Sequence, residues 1–412
     1  MKNFIAHTDE IREQMLQEIS CSSVDNLFSQ IPVKFKEFNM SNPLSELETQ
    51  RRIKALAKKN KTEYANFIGG GVYNKFIPAA VNYVAQRFEF LTAYTPYQPE
   101  ISQGTLQIIY EYQTMISRLT GMDIANASMY DGGSACAEAV LMAHRIAKGK
   151  KNKALISNRL NPEYKEVVKT YCWAQDIELE WFDEIPEDVS EYFAVLIQYP
   201  DYYGEITPIV KPDTTLIVCA NLSALSVIEP PREADIVVGD IQPLGIPMNF
   251  GGPHAGYMAC KETYMRQMPG RLVGRTVDAD GKQAFTLTIQ TREQHIKREK
   301  ATSNICSNQS LIALSATLYL SLIGEKGFKQ TGIISANLAH ALSKMLNGKG
   351  IRTMNKNFFN EFVVEVEDAN NYLAKLKEAN ILGGIKLDDR RVLVCATEMN
   401  TEEDILNYIE AL

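Results

Sequence analysis

The chain has 412 residues, of which 45% are hydrophobic and 23% charged, and its 43 basic and 50 acidic side chains give a net charge of −7. These are the values of an ordinary globular protein, so they exclude a disordered chain, a collagen-like chain and a small disulfide-rich domain. Because no basic stripe stands out, neither nucleic acid nor a membrane is an expected partner.

Cysteine usage and the first residues bear on the compartment. The seven cysteines form no C-x-x-C pair, and most of them stand beside apolar residues, which predicts reduced core thiols. Acidic residues appear by Asp9 and Glu10, before any apolar core, so no signal peptide is predicted. We therefore expect a cytoplasmic protein.

The first 65 residues are predicted to form a helical arm. Ser45 and Glu48 have the spacing of a capping box, and Ile53 and Leu56 then fall on one helix face. A surface helix is the simpler interpretation, although an arm wrapped on a partner fits equally well.

Residues 66–309 are predicted to form a large α/β domain. From Ser134 to Lys261, helical patterns alternate with short apolar runs such as KALISN, FAVLIQYP, TLIVCA and ADIVVGD. Continuous apolar runs indicate strands buried on both faces, and helices between them supply the crossovers of a mainly parallel sheet.

Residues 310–412 are predicted to form two linking helices and a smaller α+β domain. The apolar stretch from Ser310 to Ile323 is interrupted by polar residues, which favours a buried helix over a membrane span. The tail then alternates strand (EFVVEV), helix, strand (RVLVCAT) and helix.

Two glycine-containing motifs could bind a ligand. Asp131-Gly-Gly-Ser134 starts a helix, and its spacing fits a simple cap as well as a phosphate cradle. In the GGPHAG motif, His254 is either an acid–base group or a hydrogen-bonded loop histidine.

A proline-stiffened loop, YTPYQPEISQG, carries polar aromatic and amide side chains. Such residues either line a polar site or cap loops, and the sequence favours neither. The site candidates are Tyr94, Tyr97, Gln98 and Gln103.

The stretch TREQHIKREKATSN combines basic and small polar residues. Its first half, with Arg292 and His295, is typical of a charged helix face. Its second half, from Lys300 to Asn304, is predicted to start the long apolar helix and could hold an anion. No set of His, Cys, Asp or Glu has metal-ligand spacing, so no metal is expected.

Four motifs, YTPYQPEISQG, GGPHAG, MPGRLVG and TREQHIKREKATSNIC, strongly resemble the glycine-cleavage P-protein family. The resemblance covers essentially the whole chain and is to subunit 1 of the two-subunit glycine dehydrogenase (decarboxylating). It implies the aspartate-aminotransferase-like fold of pyridoxal-phosphate-dependent transferases. The implied reaction decarboxylates glycine and transfers the aminomethyl group to the lipoyl arm of the H-protein.

The resemblance also implies that this chain lacks its own cofactor chemistry. Matching the catalytic half of the family onto this chain places Gln242 at the Schiff-base lysine and Val218 at the acid that pairs with the pyridinium. Glutamine cannot form an aldimine and valine cannot pair with a cation, so the catalytic lysine is expected in the partner, subunit 2.

From the same resemblance, with two copies of each subunit expected, this chain completes the partner's site. Thr302, Ser303, Asn304 and Lys300 are the candidates to contact the phosphate of the partner's pyridoxal phosphate. The tyrosine loop, with His254, Arg292 and His295, is expected at the substrate or at the interface.

Two other functions stay open. One is a noncatalytic subunit that docks the H-protein, and the other is a stand-alone pyridoxal phosphate enzyme that uses another lysine. The polar motifs favour participation in an active site over docking alone, and Gln242 argues against the stand-alone enzyme.

Overall fold

A computed structural model describes residues 7–32, 40–91, 94–249 and 252–412. Residues 1–6 and Gly251, the first residue of the GGPHAG motif, lie outside these ranges. The helices are α1 Asp9–Glu18, α2 Glu46–Ala57, α3 Ala79–Ala85, α4 Phe88–Leu91, α5 Gln103–Thr120, α6 Gly132–Ile146, α7 Pro162–Trp173, α8 Gln294–Lys297, α9 Ser310–Gly348, α10 Ala369–Glu378 and α11 Glu402–Glu410. The strands are β1 Ala65–Asn66, β2 Ile124–Ala125, β3 Lys153–Ser157, β4 Glu178–Phe182, β5 Tyr192–Tyr199, β6 Thr215–Ala220, β7 Ile236–Asp240, β8 Gly256–Cys260, β9 Leu272–Val277, β10 Gln283–Thr288, β11 Arg352–Thr353, β12 Glu361–Glu365, β13 Ile381–Leu382, β14 Ile385–Lys386 and β15 Arg391–Cys395.

The chain divides into two compact units, residues 1–62 and 63–412. The first unit holds α1 and α2, neither of which buries a residue. The predicted capping box at α2 is present, since the Ser45 hydroxyl accepts from the Glu48 amide and the Glu48 carboxylate accepts from the Ser45 amide. The predicted boundaries at residues 65 and 309 stay predictions.

The second unit is built on a seven-stranded sheet of order β2-β8-β7-β6-β5-β3-β4. The strands from β4 to β7 are parallel, and β8 is antiparallel to β7. Along β6, Leu216 and Val218 pack on one face with residues of α9, while Ile217 and Cys219 pack on the other face with α6 and α7. Burial on both faces explains the continuous apolar runs, and the predicted α/β class with a mainly parallel sheet is confirmed.

The C-terminal residues form a four-stranded antiparallel sheet of order β11-β12-β15-β14. The second half of α9 packs there through Ala339 and Leu342, whereas its first half packs on the large sheet through Ala316 and Tyr319. The backbone leaves helical geometry at Gly324, which separates the two predicted helices. Among the described residues α9 is the one helix long and apolar enough to span a membrane, but its residues serve two protein cores, as a globular core helix does.

The structure corrects one local prediction. The Lys300–Asn304 segment does not start the long helix, because α9 begins at Ser310 and residues 301–309 are not helical. The prediction that an anion-binding helix begins at Thr302 and Ser303 is therefore wrong about the secondary structure of this segment.

Candidate functional site

Gln242 lies just past the end of β7 and is fully buried. Its side-chain carbonyl accepts from the Tyr73 amide at 2.9 Å, and its amide nitrogen donates to the carbonyls of Tyr73 and Ile246, each at 2.9 Å. Both N–H groups and the carbonyl oxygen of this side chain are thus engaged by backbone. Val218 lies in the middle of β6 with no exposed surface, among apolar core residues. Both positions have structural roles.

A carboxyl group occupies the space next to Gln242. Asp240 is the last residue of β7. Its Oδ1 accepts from the backbone amide of Gln242 at 2.7 Å, and its Oδ2 accepts from the backbone amide of Gly132 at 3.1 Å. Desolvation raises the pKa of this carboxyl to about 7, and the charge of Asp131 also raises it, whereas the two amide donors lower it. The glycine-rich start of α6 therefore faces an acidic side chain of the same protein.

The motif at the start of α6 acts as a helix cap. Asp131 accepts from the Ser134 amide at 2.8 Å, and the Ser134 hydroxyl accepts from the Asp131 amide at 3.1 Å, which completes a capping box. The cap interpretation of the Asp131–Ser134 motif is confirmed by these bonds.

The cavity at these strand ends has a volume of about 30 Å³. Ligand pockets are typically about 300–1,000 Å³, whereas this space suits little more than one water molecule. A pyridoxal phosphate does not fit the residues present, because the cavity is too small and the carboxyl groups of Asp131 and Asp240 already accept from amides at the start of α6. The lining includes Gly71, Tyr73, Asn161, Tyr164, Gln198 and Asp240.

A second group of polar residues, the Tyr97 cluster, joins four separate segments. It consists of Tyr94, Tyr97, Arg271, Glu293, His295, Ser307 and Asn308. The buried Arg271 donates to the Tyr97 hydroxyl at 3.4 Å and to the Asn308 side chain at 3.2 Å, and its guanidinium lies 5.5 Å from the centre of the Tyr97 ring. The His295 ring meets the Tyr97 ring edge-on, with the ring centres 5.8 Å apart.

The Tyr97 cluster holds buried charges that are only partly paired. Nε of Arg271 and Oε1 of Glu293 have no hydrogen-bond partner within the described part of the chain. Burial raises the pKa of Glu293, against the nearby charge of Arg271, which lowers it. His295 Nδ1 lies 3.7 Å from Oε2 of Glu293. Unpaired buried charge is costly, so such groups are typical of a functional site or an interface.

Tyr94, Tyr97 and His295 are the predicted site residues that the structure brings together. Tyr97 and His295 are about half exposed and Tyr94 is largely exposed, with its hydroxyl 3.1 Å from the Ser307 hydroxyl. The buried base of the cluster supports an aromatic surface that solvent can reach.

Gln103 and Gln98 differ in their surroundings. The Gln103 side chain donates to the Phe285 carbonyl at 2.9 Å and accepts from the Phe285 amide at 2.8 Å, so it ties α5 to β10. Gln98 is exposed on the loop. Of these two glutamines, Gln103 therefore has a structural role, whereas the exposed Gln98 is the better candidate for a binding role.

His254 and Arg292 lie away from the exposed tyrosines. Nε2 of His254 is buried without a hydrogen-bond partner in the described ranges, and desolvation lowers its pKa while Asp131 raises it. Arg292 is buried, donates to the Met268 carbonyl, and accepts from the Thr302 amide at 3.1 Å through its own carbonyl. Arg292 therefore helps to position the segment that contains Thr302.

The 300–304 segment borders a cavity of about 490 Å³ between α6 and α7. The Ser303 hydroxyl donates to Oε1 of Glu138 at 2.5 Å, and burial raises the pKa of Glu138. Thr302 and Asn304 also line this cavity, together with Arg145, whose pKa desolvation lowers to about 10.

Sequence reasoning missed Arg271, Glu293, Asp240 and Tyr73. The first two lie inside quoted motifs, MPGRLVG and TREQH, but nothing in either motif marks them as buried. Asp240 and Tyr73 become notable only through contacts with residues more than a hundred positions away.

Comparisons with known proteins agree over the full chain. A family model described as glycine cleavage system P-protein matches residues 2–412. The chain is 45% identical to a probable glycine dehydrogenase (decarboxylating) subunit 1 of Geobacillus thermodenitrificans, over 100% of this chain and 99% of the relative. It is 42% identical to the protein of the same description from Bacillus cereus, over 98% and 97%.

Solved structures lead to the same family. A glycine decarboxylase (P-protein) of the glycine cleavage system, in inhibitor-bound form, superposes with a TM-score of 0.88 at 38% identity, over 99% of each chain. A sphingosine-1-phosphate lyase of Burkholderia pseudomallei, with a TM-score of 0.64 at 13% identity over 93% and 94%, shows the fold alone. The fold is that of the aspartate-aminotransferase-like, pyridoxal-phosphate-dependent enzymes. The chain therefore belongs to the glycine cleavage system P-protein family.

Proposed function

We propose that this chain is subunit 1 of a two-subunit glycine dehydrogenase (decarboxylating) and that it works without a cofactor of its own. The observation that carries the proposal is Gln242, which is fully buried and held by backbone at the position that the resemblance assigns to the Schiff-base lysine, in a chain that matches subunit 1 relatives from end to end. Subunit 2 then supplies the Schiff-base lysine and holds the pyridoxal phosphate.

The exposed aromatic surface supports a partner at the 94–101 loop. Tyr94 and Ile101 are each 81% exposed. Large apolar and aromatic side chains left in solvent are typical of protein interfaces, where tyrosine gives much contact area for little lost side-chain entropy. We propose that subunit 2 covers this surface.

The Tyr97 cluster is suited to orient what the partner binds. Arg271, which also donates to Asn308, contacts both the hydroxyl and the ring of Tyr97, so it restrains the Tyr97 side chain. His295 adds a second donor or acceptor at the same surface. We propose that Tyr97, His295 and Gln98 face the glycine site or the lipoyl arm, while Tyr94 lies at the interface.

The 300–304 segment is proposed to contact the phosphate of the partner's cofactor. The Ser303 hydroxyl is already used by Glu138, so Ser303 would contribute its backbone N–H, and Thr302, Asn304 and Lys300 would contribute side chains. Arg292 supports this arrangement because its carbonyl holds the Thr302 amide. His254, whose pKa is lowered by desolvation and raised less by the charge of Asp131, is assigned a supporting role.

The remaining partners follow from the family. We propose that the complex contains two copies of each subunit, acts in the cytoplasm, and passes the aminomethyl group derived from glycine to a lipoylated H-protein. Reconstitution tests this proposal. CO₂ release from carboxyl-labelled glycine should require this chain, subunit 2, pyridoxal phosphate and lipoylated H-protein together.

Two results would favour the other functions. Decarboxylation by this chain and pyridoxal phosphate alone would establish a stand-alone enzyme. Full decarboxylation by subunit 2 without this chain, with H-protein binding lost, would establish a docking subunit.

A further inference from the structure

The start of α6 points its free amide groups at the strand ends of the large sheet. A helix N-terminus carries unpaired N–H groups and a partial positive charge, which favour an anion. In this chain two of those groups donate to carboxyl groups of the same protein: the Ser134 amide donates to Asp131 at 2.8 Å, and the Gly132 amide donates to Oδ2 of Asp240 at 3.1 Å.

We infer that Asp240 is a built-in substitute for the cofactor phosphate. Its carboxyl group occupies the anion position at the start of α6, and together with Gln242 it closes the strand-end cavity to a cofactor. Replacing Gln242 with lysine is therefore not enough to restore cofactor binding. Because Asp240 and Gln242 both belong to this chain, the closure of the cavity can be tested on the isolated chain without measuring enzyme activity.

The geometry shows why the anion position is filled. Both carboxyl oxygens of Asp240 accept hydrogen bonds, one from the backbone amide of Gly132 in α6 and one from the backbone amide of Gln242 after β7. Residue 240 can make this bridge because it ends β7 directly beside α6. Asp240 is partly exposed where it borders the small cavity, and desolvation is the main cause of the rise in the pKa of its carboxyl group.

Neighbouring side chains leave no room for a larger anion. Tyr164 packs over the first turn of α6 so closely that a Cβ added at Gly132 would lie 2.3 Å from the Tyr164 hydroxyl oxygen. Asp131 adds a second carboxyl group at the same helix end. A phosphate dianion would meet like charge as well as steric conflict there.

Gln242 extends the closure to the C-terminal sheet. It holds the backbone of Tyr73 in both directions, and the Tyr73 hydroxyl donates to Oε2 of Glu361 at 2.6 Å. Oε1 of Glu361 accepts from the Gly70 amide at 2.6 Å. The glycine-rich 69–71 segment and β12 are thereby joined to the end of β7 by hydrogen bonds beside the small cavity.

Lysine replacement tests the closure of the cavity. We expect Gln242→Lys, incubated with pyridoxal phosphate and reduced with borohydride, to show less than a tenth of a stoichiometric adduct at position 242 by peptide mass spectrometry. Gln242→Met, a neutral side chain of similar length, is the control for folding. If the methionine variant folds and the lysine variant does not, the site rejects the ammonium, as the closure requires. A stoichiometric adduct at position 242 of the lysine variant would overturn the inference.

Chemical rescue tests the anion position. Asp240→Ala removes a carboxyl group of about the size of formate, so we expect its Tm to fall by several degrees and to recover with formate more than with equal chloride. The wild-type chain should show no formate-specific shift. Asp240→Asn fills the space and should lose stability without rescue. Should Asp240→Ala fold poorly, the same comparison is made on its refolding yield in formate and in chloride.

A matched control separates a specific anion position from general capping. Asp368 caps α10 through the Asn370 amide at 2.8 Å, but this cap is exposed to solvent. We expect Asp368→Ala to respond equally to formate and chloride. Unchanged Tm in both Asp240 variants, or equal formate effects in Asp240→Ala and Asp368→Ala, would overturn the assignment of Asp240.

Discussion

Gln242 and Tyr73 exchange two hydrogen bonds, each 2.9 Å long, although 169 residues separate them in the sequence. The glutamine side chain thus pairs with the backbone N–H and C=O of Tyr73, as a residue of a neighbouring strand would. An amine at position 242 could donate but could not accept from the Tyr73 amide. Gln242 therefore has a structural use that a lysine could not fill.

Tyr97 is expected to matter for catalysis through its ring and its fixed position. In the complex reconstituted with subunit 2, Tyr97→Ala should lower glycine decarboxylation by about ten- to a hundredfold, equivalent to about 1.5–3 kcal/mol. Tyr97→Phe keeps the ring over Arg271 and loses one long hydrogen bond, so a fall of about fivefold or less is expected. Labelled CO₂ release measures both, and wild-type turnover by Tyr97→Ala would reject the role.

Substitutions at Thr302 and Ser303 are expected to have different effects, the first on cofactor affinity and the second on the stability of the chain. Ser303→Ala leaves the buried Glu138 without its hydroxyl donor and should destabilise the chain by about 1–3 kcal/mol. Thr302→Ala should instead weaken pyridoxal phosphate binding by the complex by about tenfold. Cofactor titration and thermal unfolding are recorded on both variants. Unchanged cofactor affinity with a lowered Tm in Thr302→Ala would leave Thr302 a structural residue only.

Glu361 is expected to make stability depend on pH. Desolvation raises its pKa to about 7, and Asp201 adds to the rise, against the Gly70 amide and the Tyr73 hydroxyl. Because the folded-state pKa is raised, its contribution to stability is fully present below about pH 4 and is lost as pH rises through 7. Glu361→Gln should therefore gain stability relative to wild type between pH 5 and 8, by up to about 3 kcal/mol. A difference that is constant across this range, in urea unfolding at several pH values, would contradict the assignment.

Lys75 and Glu398 form a buried ion pair with an Nζ–Oε2 distance of 2.5 Å and side chains 3% and 6% exposed. Lys75→Met should cost about 3–5 kcal/mol, since Glu398 would keep a buried charge with only the Ser335 hydroxyl and the Phe76 backbone amide as donors among the described residues. Adding Glu398→Gln should recover part of this loss. Lys169→Met breaks the exposed pair with Glu166 and should cost less than about 1 kcal/mol. Equal losses from the two lysine changes, measured by urea unfolding, would show that burial does not set the cost.

Local chemistry made much of the fold predictable. Strands such as β6 are apolar throughout because both faces are buried, so TLIVCA indicates a central parallel strand without further information. The caps at Ser45 and Asp131 depend on residues three positions apart, a spacing that the sequence shows directly.

Prediction failed where a helix begins without a local signal. The first residue of α9, Ser310, follows Gln309, which makes no side-chain hydrogen bond as a cap. The small polar residues Thr302 and Ser303 look more like a cap, but they lie in a non-helical segment held by Arg292 and Glu138. Tertiary contacts replaced the local signal there.

The candidate site was predictable only in part, because its chemistry depends on distant contacts. Tyr97 and His295 were identified by residue type, but the buried Arg271 that supports Tyr97 is 174 positions away. Asp240 looks like an ordinary strand end in the sequence, and its bond to Gly132 spans 108 positions. Such pairs have no spacing rule, so the fold had to bring them together before they could be recognised.

The location of the cofactor lysine tests the central claim most directly. The complex of this chain with subunit 2 is loaded with pyridoxal phosphate, reduced with borohydride, digested and mapped by mass spectrometry. We predict one stoichiometric adduct per pair of subunits, on a lysine of subunit 2, and none on this chain. A stoichiometric adduct on any lysine of this chain would contradict the account.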